Sequence, residues 1–177
     1  MRKLERAMRY GLSFHKGQVR KNTGIPYFVH PMAVMEILST VTNDEDILCA
    51  AILHDVIEDC GQTREVLEVL FGKRVSDLVY ELTKQTTLES GNRATRKALE
   101  VERLSKVSDD AKMIKLADTI HNTMCVMRED VDEDYKDLFC EERADLLEVL
   151  MGSCPELERQ LSELLTNRLI WEKWNGC

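Results

Sequence analysis

Apolar positions recur at helical spacing along almost the whole chain. Leu4, Ala7, Met8, Gly11, Leu12 and His15 share one face of a first helix that ends near Gly17. Residues 18–27 (QVRKNTGIPY) break the pattern with Asn22, Gly24 and Pro26 and predict a loop. Pro31 suits the first turn of a second helix, from 32 to about 41. Asn43 and Asp44 cap a third, which runs to Asp59. Thr63 caps a short fourth that stops at Gly72, and a fifth spans 75–83. A loop over 86–92 leads to a sixth helix, 93–105, and a seventh, 109 to about 128. The acidic stretch 129–137 predicts a loop, and two amphipathic helices split by Pro155 follow. The chain has no alternating strand run, internal repeat or low-complexity tract. The pattern therefore predicts a single all-α domain over 1–177, a bundle of roughly eight to ten helices.

The third helix is the unusual one. From 47 to 53 every residue is apolar or Cys, so it reads as buried almost all round. Its expected last turn then carries His54, Asp55, Glu58 and Asp59. His54 and Glu58 are four apart, as are Asp55 and Asp59, which gives two adjacent stripes on one face. Acids at the C-terminal end of a helix oppose its dipole, and unpaired charges at the edge of a core cost far more. A divalent cation removes most of that cost, whereas a solvated helix end lacks a polar face leading to the cluster.

Composition narrows the setting. The chain has 177 residues, enough for one sizeable core, and is poor in aromatics, Gly and Pro. It carries 24 basic and 32 acidic side chains, a net charge of −8, which argues against binding duplex nucleic acid. The six cysteines (Cys49, Cys60, Cys125, Cys140, Cys154, Cys177) form no CxxC pair and read as reduced thiols of a cytoplasmic protein. The N-terminus is charged and amphipathic, without a signal-peptide apolar stretch. No apolar run nears the ~18 residues of a membrane span.

Other candidate ligands come from separate helices. His30 precedes Pro31 at a loop-to-helix junction. Asp118 interrupts an apolar stretch, with Asn122 four residues on. With His54 and Asp55 they make a nitrogen/oxygen donor set free of thiolate, suited to manganese, iron or an open zinc site.

The order His30, His54-Asp55, Asp118 resembles that of the HD-domain metal phosphohydrolases. RKNTGIPYFVHP (20–31), AAILHDVIED (50–59) and KLADTIHN (115–122) are similar to the hydrolase domain of RelA/SpoT proteins. The likeness is greatest to small stand-alone alarmone hydrolases, including the metazoan SpoT homologues, and covers roughly the first 130 residues. The chain is too short to add a synthetase domain.

The resemblance implies one bound divalent metal, usually Mn²⁺, held by His30, His54, Asp55 and Asp118. It implies that Glu58 and Asp59 orient or activate the attacking water, and that Arg20, Lys21 and Asn122 contact the nucleotide. It implies hydrolysis of a nucleotide 3′-pyrophosphate, (p)ppGpp or its adenosine analogue, by attack at the phosphorus nearest the ribose with release of pyrophosphate. The alternatives are a nucleotide or dinucleotide phosphatase of other specificity, or a nucleotide-sensing module without turnover. One departure is plain: where the family commonly reads HNLR, this chain reads HNTM (121–124). Arg93, Arg96 and Lys97 read singly as a solvated helix face, with phosphate contact as the alternative. The helices after Asp137, with Trp171 and Trp174, either close the core or provide a homo-oligomer face.

Overall fold

A computed structural model describes residues 2–175, with side-chain surroundings over 2–167. Among the described residues the chain forms ten α-helices and one short 3₁₀ turn, Leu88–Ser90. The helices are α1 (Lys3–Phe14), α2 (Val29–Ser39), α3 (Glu45–Leu53), α4 (Val56–Cys60) and α5 (Arg64–Phe71). There follow α6 (Lys73–Leu82), α7 (Arg93–Leu104), α8 (Asp109–Arg128), α9 (Glu133–Leu150) and α10 (Pro155–Asn175). The all-α expectation holds; pairing of extended backbone is limited to a bridge between Val19 and Pro26.

Local chemistry sets most helix starts. The Asp44 side chain accepts from the amides of Asp46 and Ile47 at the start of α3. Thr63, Asn92 and Ser108 cap α5, α7 and α8 in the same way.

The apolar run becomes the centre of the core. Ile47 and Cys49 through Leu53 are buried, and α3 packs against α1, α2, α6 and α8. One close approach is built for a glycine: a Cβ at Gly11 of α1 would lie 2.7 Å from Phe28 Cε2 and 3.2 Å from the Ile52 carbonyl oxygen. Helix α8 runs alongside α2, α6, α9 and α10, burying Ala111, Ile114, Leu116, Ala117 and Ile120. Leu146, Leu150, Leu157, Leu161 and Leu165 of α9 and α10 join the same core, so these helices close it. Trp171, Trp174 and Cys177 lie outside the residues whose side chains are described.

Three boundaries differ from the sequence expectation. Helix α2 begins at Val29, so His30 stands inside its first turn rather than before it. The acidic stretch is a loop only to Asp132. That side chain accepts from the amides of Asp134 and Tyr135 and starts α9, whose first turn welcomes Glu133 and Asp134.

The third difference matters most. The helix expected to run from 47 to 59 is two helices, broken at His54-Asp55. Asp55 has φ −99° and ψ −3°, a bridge conformation at the boundary between α3 and α4. Glu58 and Asp59 therefore occupy the first turn of α4, where the dipole favours acids, instead of the last turn of α3. The two expected stripes, His54 with Glu58 and Asp55 with Asp59, therefore do not lie on one continuous helix. Gly61, with φ 64°, ends α4 in a left-handed turn.

Candidate metal centre and its cavity

The break places His54 and Asp55 where α3 ends, facing the first turn of α2 and the middle of α8. His54 Nε2 lies 2.9 Å from Asp55 Oδ2 and 3.9 Å from Asp118 Oδ1. His30 Nε2 lies 3.1 Å from Asp118 Oδ1 and 3.8 Å from Asp55 Oδ2. One ligand atom each from His30, His54 and Asp55 fits within 4.8 Å, and Asp118 meets both imidazoles from α8.

The hydrogen bonds prepare these groups as ligands. His54 Nδ1 donates to the Ala51 carbonyl at 2.7 Å, which leaves Nε2 to face the cluster. That Nε2 is buried and has no hydrogen-bond partner. A buried polar atom so placed is costly unless something binds it. Two imidazole nitrogens and two carboxylates fit a divalent ion.

The electrostatics agree. Burial works against a charge on His54, yet the carboxylate of Asp55, then that of Asp118, pushes its pKa up to about 9. Burial likewise opposes ionisation of Asp118, but Lys115 and His30 hold it well below the usual carboxylate range. Asp55 is also lowered, against burial, by His54. In the absence of a metal the proton drawn to His54 balances these acids, and a divalent ion would displace it.

Surrounding side chains fix the orientation. The Tyr27 hydroxyl donates to Asp55 Oδ2 at 2.6 Å. Lys115 Nζ donates to Asp118 Oδ2 at 2.7 Å, and Asn122 Nδ2 donates to Asp118 Oδ1 at 2.6 Å. Nδ1 of His30 meets Nδ1 of His121 at 2.8 Å. These partners are the residues that sequence reasoning missed in Tyr27, Lys115 and His121. All three lie inside the quoted motifs, and Lys115 at three before Asp118 was a readable signal.

The cluster opens on a cavity of about 470 Å³. Arg20, Glu58 and Asn122 line it with His30, His54, Asp55 and Asp118. Arg20 sits in a loop closed by hydrogen bonds from the Arg20 amide to the Ile25 carbonyl and from the Tyr27 amide to the Gln18 carbonyl. Its Nη2 donates to Asn122 Oδ1 at 3.0 Å, so a loop cation, an amide and the Asp118 carboxylate form one chain. Glu58 accepts from the Lys84 amide, while burial and then the charges of Asp55 and Asp59 raise its pKa. Asp59 is raised too, first by partial burial of its carboxyl group, although the residue as a whole is exposed, and then by Asp55. Asp59 and Lys21 are exposed and do not line the cavity. Arg93, Arg96 and Lys97 do line it, together with Arg143, rather than forming only a solvated face.

Comparison with known proteins agrees with this geometry. A family model described as HD domain matches residues 7–143. The chain is 36 % identical over 160 residues to the guanosine-3′,5′-bis(diphosphate) 3′-pyrophosphohydrolase of Homo sapiens, covering 87 % of this chain and 88 % of that protein. It is 36 % identical to the GTP pyrophosphokinase rsh of Brucella melitensis, over 98 % of this chain. The chain spans 23 % of the length of that Brucella relative. A solved structure, described as a metazoan ortholog of SpoT that hydrolyzes ppGpp, matches with a TM-score of 0.86 at 33 % identity. The match covers 95 % of this chain and 96 % of that one.

Proposed function

The chain belongs to the HD-domain family, and on that footing we propose that it hydrolyses nucleotide 3′-pyrophosphates, with (p)ppGpp or its adenosine analogue as substrate. One observation carries the reading. The buried, unpartnered Nε2 of His54 faces Asp55 and Asp118 at the base of a cavity that also holds Arg20, Lys97 and Arg143. A metal-binding set beside cations suits a phosphorylated ligand.

His30, His54, Asp55 and Asp118 would hold one divalent ion, for which we propose Mn²⁺ as an ion matched to mixed imidazole and carboxylate donors. Such an ion, when bound, polarises phosphoryl oxygens and lowers the pKa of water. Glu58 takes a proton from the attacking water, and Asp59, beside it but outside the cavity lining, raises the basicity of Glu58 through its charge. The water oxygen forms a bond to the phosphorus nearest the ribose. The bond from that phosphorus to the ribose 3′ oxygen breaks, the ribose oxygen gains a proton, and pyrophosphate is released. Arg20 offers a planar face and a hydrogen-bonding fork to the nucleotide, and Asn122 holds it against Asp118. Lys21 contributes charge from outside the cavity.

Among the described residues no helix is long and apolar enough to cross a membrane. Cys49, Cys60, Cys125 and Cys154 are free thiols, which suits the cytoplasmic setting we propose.

The test is a nucleotide panel assayed with Mn²⁺ and read by product identity. Release of pyrophosphate from ppGpp, leaving a nucleoside 5′-diphosphate, is expected. Orthophosphate alone would replace the reading with a phosphomonoesterase, and binding without turnover would leave a sensing module.

A further inference from the structure

Arg143 enters the cavity from α9, and its side chain is only 17 % exposed. Its guanidinium makes no hydrogen bond among the described residues. The nearest carboxylate oxygen is Glu142 Oε2, 3.9 Å away. That carboxylate is already held by Arg93 at 2.7 and 3.1 Å and by Lys97 at 3.3 Å. The guanidinium carbon lies 4.2 Å from the centroid of the Phe139 ring, which supports one face and leaves the N–H edge open. Its donors reach the cavity without a hydrogen-bond partner among the described residues, so they are free to meet an acceptor there.

The surroundings favour an anion as that acceptor. Helix α7 brings Arg93, Arg96 and Lys97 to the same cavity. The acids that could balance them are few. Glu100 is taken by Arg103 at 2.6 and 3.0 Å, and Glu142 is shared among Arg93, Lys97 and Arg143. This wall is cationic although the chain as a whole carries a charge of −8. Burial, and next the charge of Arg143, lower the pKa of Lys97, which marks uncompensated repulsion between neighbours. Arg143 also feels Asp118, and Lys115 feels Arg143, so this guanidinium belongs to the metal-cluster side of the cavity. Helix α8 offers no cation between Asn122 and Arg128. A phosphate extending past Asp118 has to be met from another helix.

We propose that Arg143, with Lys97 beside it, binds the terminal phosphate of the substrate's 3′-pyrophosphate. The assignment rests on the 3′-pyrophosphate reading above and adds to it the group that holds the released fragment. The planar fork of Arg143 suits two phosphate oxygens at once, and the ring of Phe139 keeps that fork in the plane of approach.

The test uses the full chain loaded with Mn²⁺ and two variants, Arg143→Met and Arg143→Lys. Calorimetry measures binding of inorganic pyrophosphate and, separately, of GDP. Arg143→Met should weaken pyrophosphate binding at least about tenfold, the scale of a lost charged hydrogen bond, and leave GDP within about twofold. Arg143→Lys should recover part of the loss. Metal content should be unchanged in both. Arg143→Met should melt no lower than wild type, because the guanidinium makes no hydrogen bond among the described residues and Met keeps the packing on Phe139. A lower melting temperature in both variants would make Arg143 a structural residue and overturn the assignment. So would unchanged pyrophosphate binding in Arg143→Lys and Arg143→Met, or a loss confined to GDP. Pyrophosphate binding is read without turnover, which keeps the two readings separable. Arg143-dependent binding in a chain that cleaves no 3′-pyrophosphate would defeat the reaction and spare the anion site. Cleavage with Arg143-independent binding would do the reverse.

Discussion

One hydrogen bond decides what His54 is able to do: its Nδ1 serves the Ala51 carbonyl, so Nε2 is the atom left for a ligand. His30 reaches the same state through a different partner. For its Nε2 to face the cluster as a lone pair, its Nδ1 must carry the proton and donate to Nδ1 of His121. His121 therefore has to stay neutral, and burial holds its pKa down to about 4. Replacing His121 by Phe, which cannot accept, should weaken metal binding about 10- to 100-fold, while Gln should recover part of it. Equilibrium metal titration of the two variants checks this; equal affinity in both would show that the acceptor is irrelevant. Glu58 makes a second case. Glu58→Gln should keep the metal and lose on the order of 100-fold or more in turnover. Because its pKa is raised above the ordinary 4.5, a wild-type profile should lose activity on acidification at a pH above that value. The limb should vanish in the Gln variant. His54, Asp55, Glu58 and Asp59 stood out in the sequence because charges at the end of an apolar run are expensive. His121 and Tyr27 did not, since an orienting partner leaves no such trace until the rings are seen in contact.

Helices were legible where their ends carry chemistry. Ser108 and Arg128 bound α8 where the pattern placed them, and Asn92 opens α7. The break between α3 and α4 was not legible, because 54–59 continues the helical spacing and only the backbone of Asp55 departs from it. The start of α9 was hidden for another reason: acids read as a solvated loop are also what a helix N-terminus prefers. Asp132→Ala should therefore cost about 0.5–2 kcal/mol, seen as a lower denaturation midpoint with unchanged slope. The contact of α1 with α3 gives a sharper prediction. Alanine at Gly11 would add helix propensity worth roughly 1 kcal/mol but must displace Phe28 and the Ile52 backbone. Overpacking of that kind costs about 1–3 kcal/mol, so Gly11→Ala should lower the melting temperature despite the better helix former.

At the scale of the whole molecule, charge is distributed against its average. A chain of net charge −8 places Arg20, Arg93, Arg96, Lys97 and Arg143 around one cavity, so attraction of a polyanion is local and strongest at contact. Loading with Mn²⁺ at about 100 times its dissociation constant should stabilise the fold by roughly 2.7 kcal/mol, and a chelator should reverse it. A melting temperature indifferent to both would contradict the proposed site. Composition and spacing made the helical class and the ligand order readable; the cationic wall of the cavity was not, because Arg143 joins it only when α9 folds back along α8. The proposed ligands also have a topological consequence. They come from α2, from the α3–α4 junction and from α8, segments remote along the chain. An ion bound by them acts as a removable cross-link that closes two long loops. Amide hydrogen exchange in α2, α3 and α8 should then slow together on loading, as one cooperative unit, while α5, which supplies none of these ligands, keeps its own rate.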